Sequence, residues 1–240
     1  MLKYKDTKIA DAGYVMNLPE RTDRLEHVTK VLEELEITGW KIHEGFRFEE
    51  PEWKRYGCTE AYMQIFEDAL NNNYESIIVF EDDIRITDMI NKEQIHEIFT
   101  NLEREMINYD YIAFGTRPLW ESKVIKKSEN FGTITNSLCT QCFLYRKDFM
   151  EYVIENLRDF KNPESPYHRV VIDEFISDCS SHDYICKKPN KLFRAGITIP
   201  MMFTQQPSHS DNEDSFMNYQ GYIEDSYWHA LNNGKNLTND

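Results

Sequence analysis

The stretch SIIVFEDDIRI, residues 76–86, sets four apolar residues directly before three consecutive carboxylates. Ile77 to Phe80 have no polar face, as expected of a strand covered on both sides. Glu81, Asp82 and Asp83 follow with no basic residue before Arg85. Two like charges about 5 Å apart repel by about 3 kcal/mol at an effective dielectric of about 20. The strand therefore ends in a cluster that calls for a cation. On an extended strand Glu81 and Asp83 share one face and Asp82 takes the other. The competing reading is a charged strand end entering a loop, with Arg85 as partner.

Outward from this run, strands and helices alternate. Residues 12–18 read as a strand closed by Pro19, and Leu25, Val28, Val31, Leu32 and Leu35 then keep helical spacing up to Gly39. A short strand is expected in 40–46, and Ala61, Tyr62, Ile65, Phe66, Ala69 and Leu70 mark a second amphipathic helix. After the acidic run come a helix near 92–107 and a strand at 110–115. Strands apolar on both faces with helices between them predict an α/β fold, a central mostly parallel sheet flanked by helices. Ligands of such sheets gather beyond the carboxyl ends of the strands, where Glu81 to Asp83 stand.

The second half is less regular. GTITN (132–136) and CFLYR (142–146) read as a pair of strands, and 147–157 and 171–177 as helices. The polar tail from Met201 reads as a loop-like segment folded back over the sheet edge. No repeat or linker divides the chain, so a single domain over 1–240 is expected.

The 240 residues carry a formal charge of −15, and 40% are apolar, with 14 Phe and 14 Tyr, enough for a substantial core. That charge repels duplex nucleic acid, and no basic patch is present; Lys126-Lys127 and Lys187-Lys188 read as solvated loops. No apolar run is long enough to cross a membrane, and the N-terminus lacks the apolar stretch of a secretory signal, so a soluble, cytoplasmic protein is expected. The five cysteines, an odd number, then read as reduced thiols. Cys139 and Cys142 have zinc-like spacing but sit in a strand pattern, and Cys179 and Cys186 are too far apart for a knuckle. The N-L-T at Asn236 reads as a chance glycosylation match.

No two of the nine glycines are separated by a single residue, so a G-x-G-x-x-G loop is excluded, and no P-loop is present. A nucleotide diphosphate would have to be neutralised by a metal and arginines. The acidic run suits Mg²⁺ or Mn²⁺, since Mg²⁺ commonly takes one or two carboxylates plus substrate phosphates. Arg21 and Arg24, one turn apart after the first of these strands, are candidates for the phosphates; their other reading is helix-surface charge.

Three segments together resemble the GT-A-fold glycosyltransferases of family 25, the lipooligosaccharide type. They are YVMNLPERTDR (14–24), GCTEAYMQIFEDALNNNYESIIVFEDDI (57–84) and TQQPSHSDN (204–212). The resemblance implies a single GT-A-like (Rossmann-like) domain with a nucleotide-sugar and metal half in 1–118 and an acceptor half with a closing segment in 119–240. It implies hexosyl transfer from a nucleoside-diphosphate sugar, with uridine as base, to a glycan or other hydroxyl acceptor in glycan biosynthesis. Asn17, Leu18, Arg21, Arg24, Glu81 and Asp82 would line the nucleotide-sugar pocket. Glu81, Asp83 and His209 would hold Mn²⁺ or Mg²⁺. Family members carry Ser-His in the helix after Gly-Cys, where this chain has Ala61-Tyr62.

Glycosyl transfer also needs a carboxylate to activate the acceptor hydroxyl. Asp173 and Glu174 are the candidates, also supported by the resemblance; Glu44 and Asp178 are alternatives, and a helix-surface pair is the competing reading. Two other functions fit part of the pattern: a metal-dependent nucleotidyltransferase, and an inactive glycosyltransferase-like protein that binds a sugar or a partner.

Overall fold

A computed structural model describes residues 1–181, 189, 191–210, 215–218 and 220–235, with the backbone alone over 208–210 and 215–217. Cys186, Lys187-Lys188 and Asn236 lie outside the described residues.

The chain opens with an antiparallel pair, β1 (Leu2–Tyr4) and β2 (Thr7–Ala10), and then enters β3 (Ala12–Asn17). Helix α1 (Thr22–Glu34) leads to β4 (Ile37–Thr38), which pairs with β1, and to β5 (Trp40–Glu44). A short 3₁₀ helix over Pro51–Tyr56 precedes α2 (Gly57–Asn71), which returns the chain to β6 (Ser76–Glu81). The short β7 (Ile84–Ile86) follows, then α3 (Lys92–Glu105), whose start is fixed by a reciprocal Asn91–Gln94 capping box. Next come β8 (Tyr111–Pro118), β9 (Val124–Lys126), β10 (Phe131–Ile134) and β11 (Ser137–Arg146). The rest comprises α4 (Lys147–Leu157), α5 (Ile172–Asp178), β12 (Ala195–Thr198), β13 (Phe203–Gln205), β14 (Ser208–Ser210), β15 (Ser215–Met217) and α6 (Gln220–Lys235).

Eight strands form the central sheet in the order β5-β3-β6-β11-β8-β12-β10-β9. Six run in one sense, and β10 and β11 run against them. The α/β fold with a mostly parallel sheet is thus as expected, with two insertions: antiparallel β11 separates β6 from β8, and antiparallel β10 separates β12 from β9. GTITN and CFLYR are both strands but do not pair with each other, because β10 joins β9 and β12 while β11 joins β6 and β8.

Strand β6 shows why its run has no polar face. The pleat sends Ile77 and Val79 into one core, with residues of α2, α4 and α5, and Ile78 and Phe80 into the other, with residues of α1 and α3. All four are essentially inaccessible, and each such side chain contributes about 1.5–3 kcal/mol by burial. A charge at Ile78 or Val79 would open one of the two cores.

The order of the strands places the site. From β3 the chain goes through α1 to β5 on one side, and from β5 through α2 to β6 on the other side of β3. The topology therefore reverses between β3 and β6. Their carboxyl ends lie side by side, with Met16 in register with Glu81. In open α/β sheets such a switch point leaves a crevice.

The tail folds back, but with more structure than its polar sequence suggests. β13 pairs antiparallel with β7, setting Gln205 opposite Ile84. Helix α6 packs against β8 and β9. Among the described residues no helix is long and apolar enough to cross a membrane.

Candidate active site

Strand β6 stops at Glu81, and Asp82 and Asp83 form the turn into β7. The expected alternation of Glu81 and Asp83 on one strand face is thus replaced by a turn that folds all three acids toward the β3–β6 crevice. Asp82 and Asp83 are 8% and 3% exposed, so these are not solvated loop charges. Arg85 does not serve them; it bonds Asp88 and Gln220.

Arg24 does. Its Nη1 lies 3.0 Å from Asp82 Oδ1 and 3.1 Å from Asp83 Oδ2. The guanidinium was expected at a phosphate; it sits on the acids and offsets part of their repulsion. Arg21 instead forms a two-point pair with Asp23, both contacts at 3.0 Å. The other partners come from far along the chain. Gln205 Nε2 donates to Asp83 Oδ2 at 2.8 Å, and the Thr140 hydroxyl donates to Glu81 Oε1 at 2.8 Å.

Thr140 reaches Glu81 because β11 bulges. Leu138 pairs with Arg117 and Cys142 with Gly115, so three residues of β11 face one of β8. Cys139 takes φ 63° to make the bulge. Tyr62, where the resembled family has histidine, is fully buried and donates its hydroxyl to the Thr140 carbonyl at 3.2 Å. It supports the bulge from below.

Burial, then the neighbouring Asp83 charge, pushes Glu81 up to about 8 against the Thr140 hydrogen bond. The same two causes push Asp82 up to about 7, with Arg24 working the other way. Both shifts report acids crowded into a poorly hydrated corner.

Two cavities meet here. The smaller, about 160 Å³, is lined by Asn17, Leu18, Arg24, Phe46, Ala61 and the three acids. Asn17 donates to the Leu18 carbonyl at 2.7 Å, leaving its own Oδ1 buried without a partner. Phe46 reaches this cavity because the loop after β5 lies on the start of α2; a Cβ at Gly57 would collide with the Phe46 carbonyl. The larger cavity, about 670 Å³, holds Asp173 and Glu174 at the start of α5. Cys58, Glu81 and Gln205 line both, so the two chambers are continuous around Glu81.

Asp173 accepts the backbone N–H of Cys139 at 3.4 Å and of Glu174 at 2.9 Å. Burial raises its pKa, and these N–H bonds offset part of the rise. Glu174 is held by Arg55 at 3.0 Å. Neither Glu44 nor Asp178 lines either chamber.

Among the described residues no three His, Cys, Asp or Glu side chains converge as a ready metal cage. The donor set still fits a hard cation that completes its shell with substrate oxygens. Asp82 and Asp83 share the Arg24 guanidinium, Glu81 stands beside them bonded to Thr140, and Asp83 Oδ1 is buried with no hydrogen-bond partner. His209 lies on β14, in register with Phe216 of β15; its side chain lies outside the described residues. Cys58, Cys139, Cys142 and Cys179 are free thiols, as expected.

The structure gathers Asn17, Leu18, Arg24, the three acids and the Asp173–Glu174 pair, all named from the sequence, around one crevice. Gln205 lay within a resembled segment without a role, and Thr140 and Phe46, which also stand at the crevice, were not named. The late Gln-Gln after a buried Met-Met-Phe was a signal for a returning strand; nothing in the sequence marks the bulge.

No family model matches the chain. A solved mannose-1-phosphate geranyltransferase from Thermus thermophilus is similar at 12% identity and a TM-score of 0.39, over 78% of this chain and 73% of that one. A glycosyltransferase involved in the glycosylation of the major capsid of PBCV-1 is similar at 11% identity and a TM-score of 0.45, over 90% of this chain and 98% of that one. Likenesses this distant assign no family, and the chemistry of the crevice is read from its own side chains.

Proposed function

We propose that this chain is a metal-dependent glycosyltransferase of GT-A type that moves a hexosyl group from a nucleoside-diphosphate sugar to a hydroxyl acceptor. The observation that carries the reading is the shared wall at Glu81. On one side lie Asp82, Asp83 and Arg24, and on the other the Asp173–Glu174 pair. The resemblance of 14–24, 57–84 and 204–212 to family 25 supports the same assignment.

In this reading Asn17, Leu18 and Phe46 bound the nucleotide, and Asp83 with Glu81 holds Mn²⁺ or Mg²⁺. The bound ion supplies Lewis-acid stabilisation of charge on the departing diphosphate. Arg24 keeps Asp82 and Asp83 in place and tempers their charge so that an anionic donor can approach. Gln205 and Thr140 fix the orientations of Asp83 and Glu81. Asp173, buried and held by the backbone N–H groups of Cys139 and Glu174, takes the proton from the acceptor hydroxyl, and its raised pKa suits it to act as a base.

The test is calorimetric titration with Mn²⁺ and a panel of nucleotide sugars, followed by chromatography of the products. Donor binding that needs the metal, with release of a nucleoside diphosphate, is the expected result. Release of pyrophosphate would make the chain a nucleotidyltransferase, and failure to bind any donor would end the enzymatic reading.

A further inference from the structure

The larger cavity holds two cations that the proposed chemistry does not use. Arg117, near the end of β8, and Lys54, in the 3₁₀ turn before α2, both line it. Among the described residues neither forms an ion pair with a carboxylate, whereas their neighbour Arg55 is engaged by Glu174. The Arg117 Nε is buried with no hydrogen-bond acceptor. The guanidinium lies 5.6 Å from the centre of the Tyr222 ring, a contact that steadies the cation without supplying an acceptor oxygen. A buried charged donor left without a partner is costly, so a ligand that brings acceptor oxygens there is favoured strongly. The guanidinium fork matches a carboxylate or a phosphate in two-point geometry.

The rest of the molecule sharpens the point. A chain of net charge −15 repels acidic ligands unless cations are placed locally, and a neutral acceptor would need none. Arg117 and Lys54 line the chamber of Asp173 and Glu174, and neither lines the smaller chamber of Asn17 and Arg24. We propose that the larger cavity binds an acceptor saccharide bearing an acidic group, a carboxylate or a phosphate monoester, gripped by Arg117 with Lys54 as the second cation. This rests on the glycosyltransferase reading for the word acceptor; the acidic-sugar site itself stands on Arg117 and Lys54.

The experiment follows the Arg117 Nε–Hε resonance in ¹⁵N-labelled full-length protein, assigned by its loss in Arg117→Lys. Glucuronic acid and glucose 6-phosphate should each shift it saturably, and glucose and inorganic phosphate should bind about tenfold more weakly or worse. Arg117→Gln should weaken both acidic sugars by about tenfold, and Lys54→Ala, on a surface turn, by about threefold. Affinity for a nucleoside diphosphate with Mn²⁺ should stay within about twofold in both variants. Circular dichroism checks that Arg117→Gln is folded, and Lys54→Ala gives an independent answer if it is not. Glucose binding as well as the acidic sugars overturns the proposal, as does inorganic phosphate alone matching them. So does an equal loss of nucleoside diphosphate in Arg117→Gln, which would assign the cation to the donor. If no nucleotide sugar binds while the acidic sugars still bind through Arg117, the acidic-sugar site stands and the glycosyltransferase reading alone fails.

Discussion

The Gln205 side-chain amide donates to Asp83 Oδ2 at 2.8 Å, joining residues 122 positions apart. The backbone N–H of Gln206 adds a bond to the Asp83 carbonyl at 2.7 Å. The acidic turn is therefore held from above by the returning tail and from the side by Arg24. Its geometry is a tertiary product, completed only when β13 pairs with β7.

Removing that clamp has a measurable cost. A hydrogen bond to a charged group contributes about 1.5–3 kcal/mol, so Gln205→Ala should lower stability by about 2 kcal/mol in metal-free protein. Gln205→Glu should lower it further by placing a fourth carboxylate beside Asp83, and added Mn²⁺ should restore more of the loss in the Glu variant. Urea denaturation with and without Mn²⁺ measures both. Equal midpoints for all three proteins would show that Gln205 does not hold the turn.

The contrast between β6 and β11 explains what the sequence could tell. Ile77 to Phe80 are apolar on both faces because both faces are covered, and a local pattern reports that directly. The switch point could be inferred too, since it follows from alternating elements. The position of β11 could not: whether an apolar strand pairs with its neighbour in sequence or inserts between two distant strands is decided by long-range packing. Asp82 and Asp83 illustrate the same limit at one turn. Their identity led to the expectation of a cation site, but strand alternation misplaced Asp83, and only the fold shows that Arg24 comes to meet both. Thr140 is an ordinary strand residue until the bulge turns its hydroxyl toward Glu81.

The crowded acids make stability depend on pH in a definite direction. Glu81 and Asp82 have folded pKa values above their unfolded ones, through burial and the Asp83 charge. Between the ordinary carboxylate range and about 8 the folded state therefore binds more protons, and stability falls as pH rises. Chelator-treated protein should be harder to denature near the bottom of that window than at its top. Glu81→Gln should flatten the profile, and saturating Mn²⁺ should invert it if the proposed ion site is real, since a cation there favours the deprotonated acids. A wild-type profile as flat as that of Glu81→Gln would contradict the placement of Glu81.

Phe46 is 40% exposed on the rim of the smaller cavity, so its ring is open to a ligand there. If a nucleobase covers it, stacking of about 1–3 kcal/mol is at stake. Phe46→Ala should then weaken nucleoside diphosphate binding by about tenfold or more, and Phe46→Trp should preserve it. The corresponding ribose 5-phosphate, which lacks a base, should bind wild type and Phe46→Ala alike. A similar loss for both ligands would place Phe46 in support of the loop instead of against the base.

Asp173 and Glu174 are adjacent, yet their surroundings differ enough to separate them. Glu174 is tied to the Arg55 guanidinium at 3.0 Å, which occupies one of its carboxylate oxygens. Asp173 is buried, has a raised pKa and is held by backbone N–H groups that leave it available to a hydroxyl. General-base catalysis contributes about 10²–10⁴-fold, so Asp173→Asn should lose turnover on that scale while donor affinity is kept. Glu174→Gln should cost about tenfold or less, through a loosened Arg55. Turnover against pH gives an independent check: the acid limb of kcat should disappear in Asp173→Asn and persist in Glu174→Gln. Wild-type rates in both variants would remove the pair from the chemistry and leave the larger cavity a binding chamber alone.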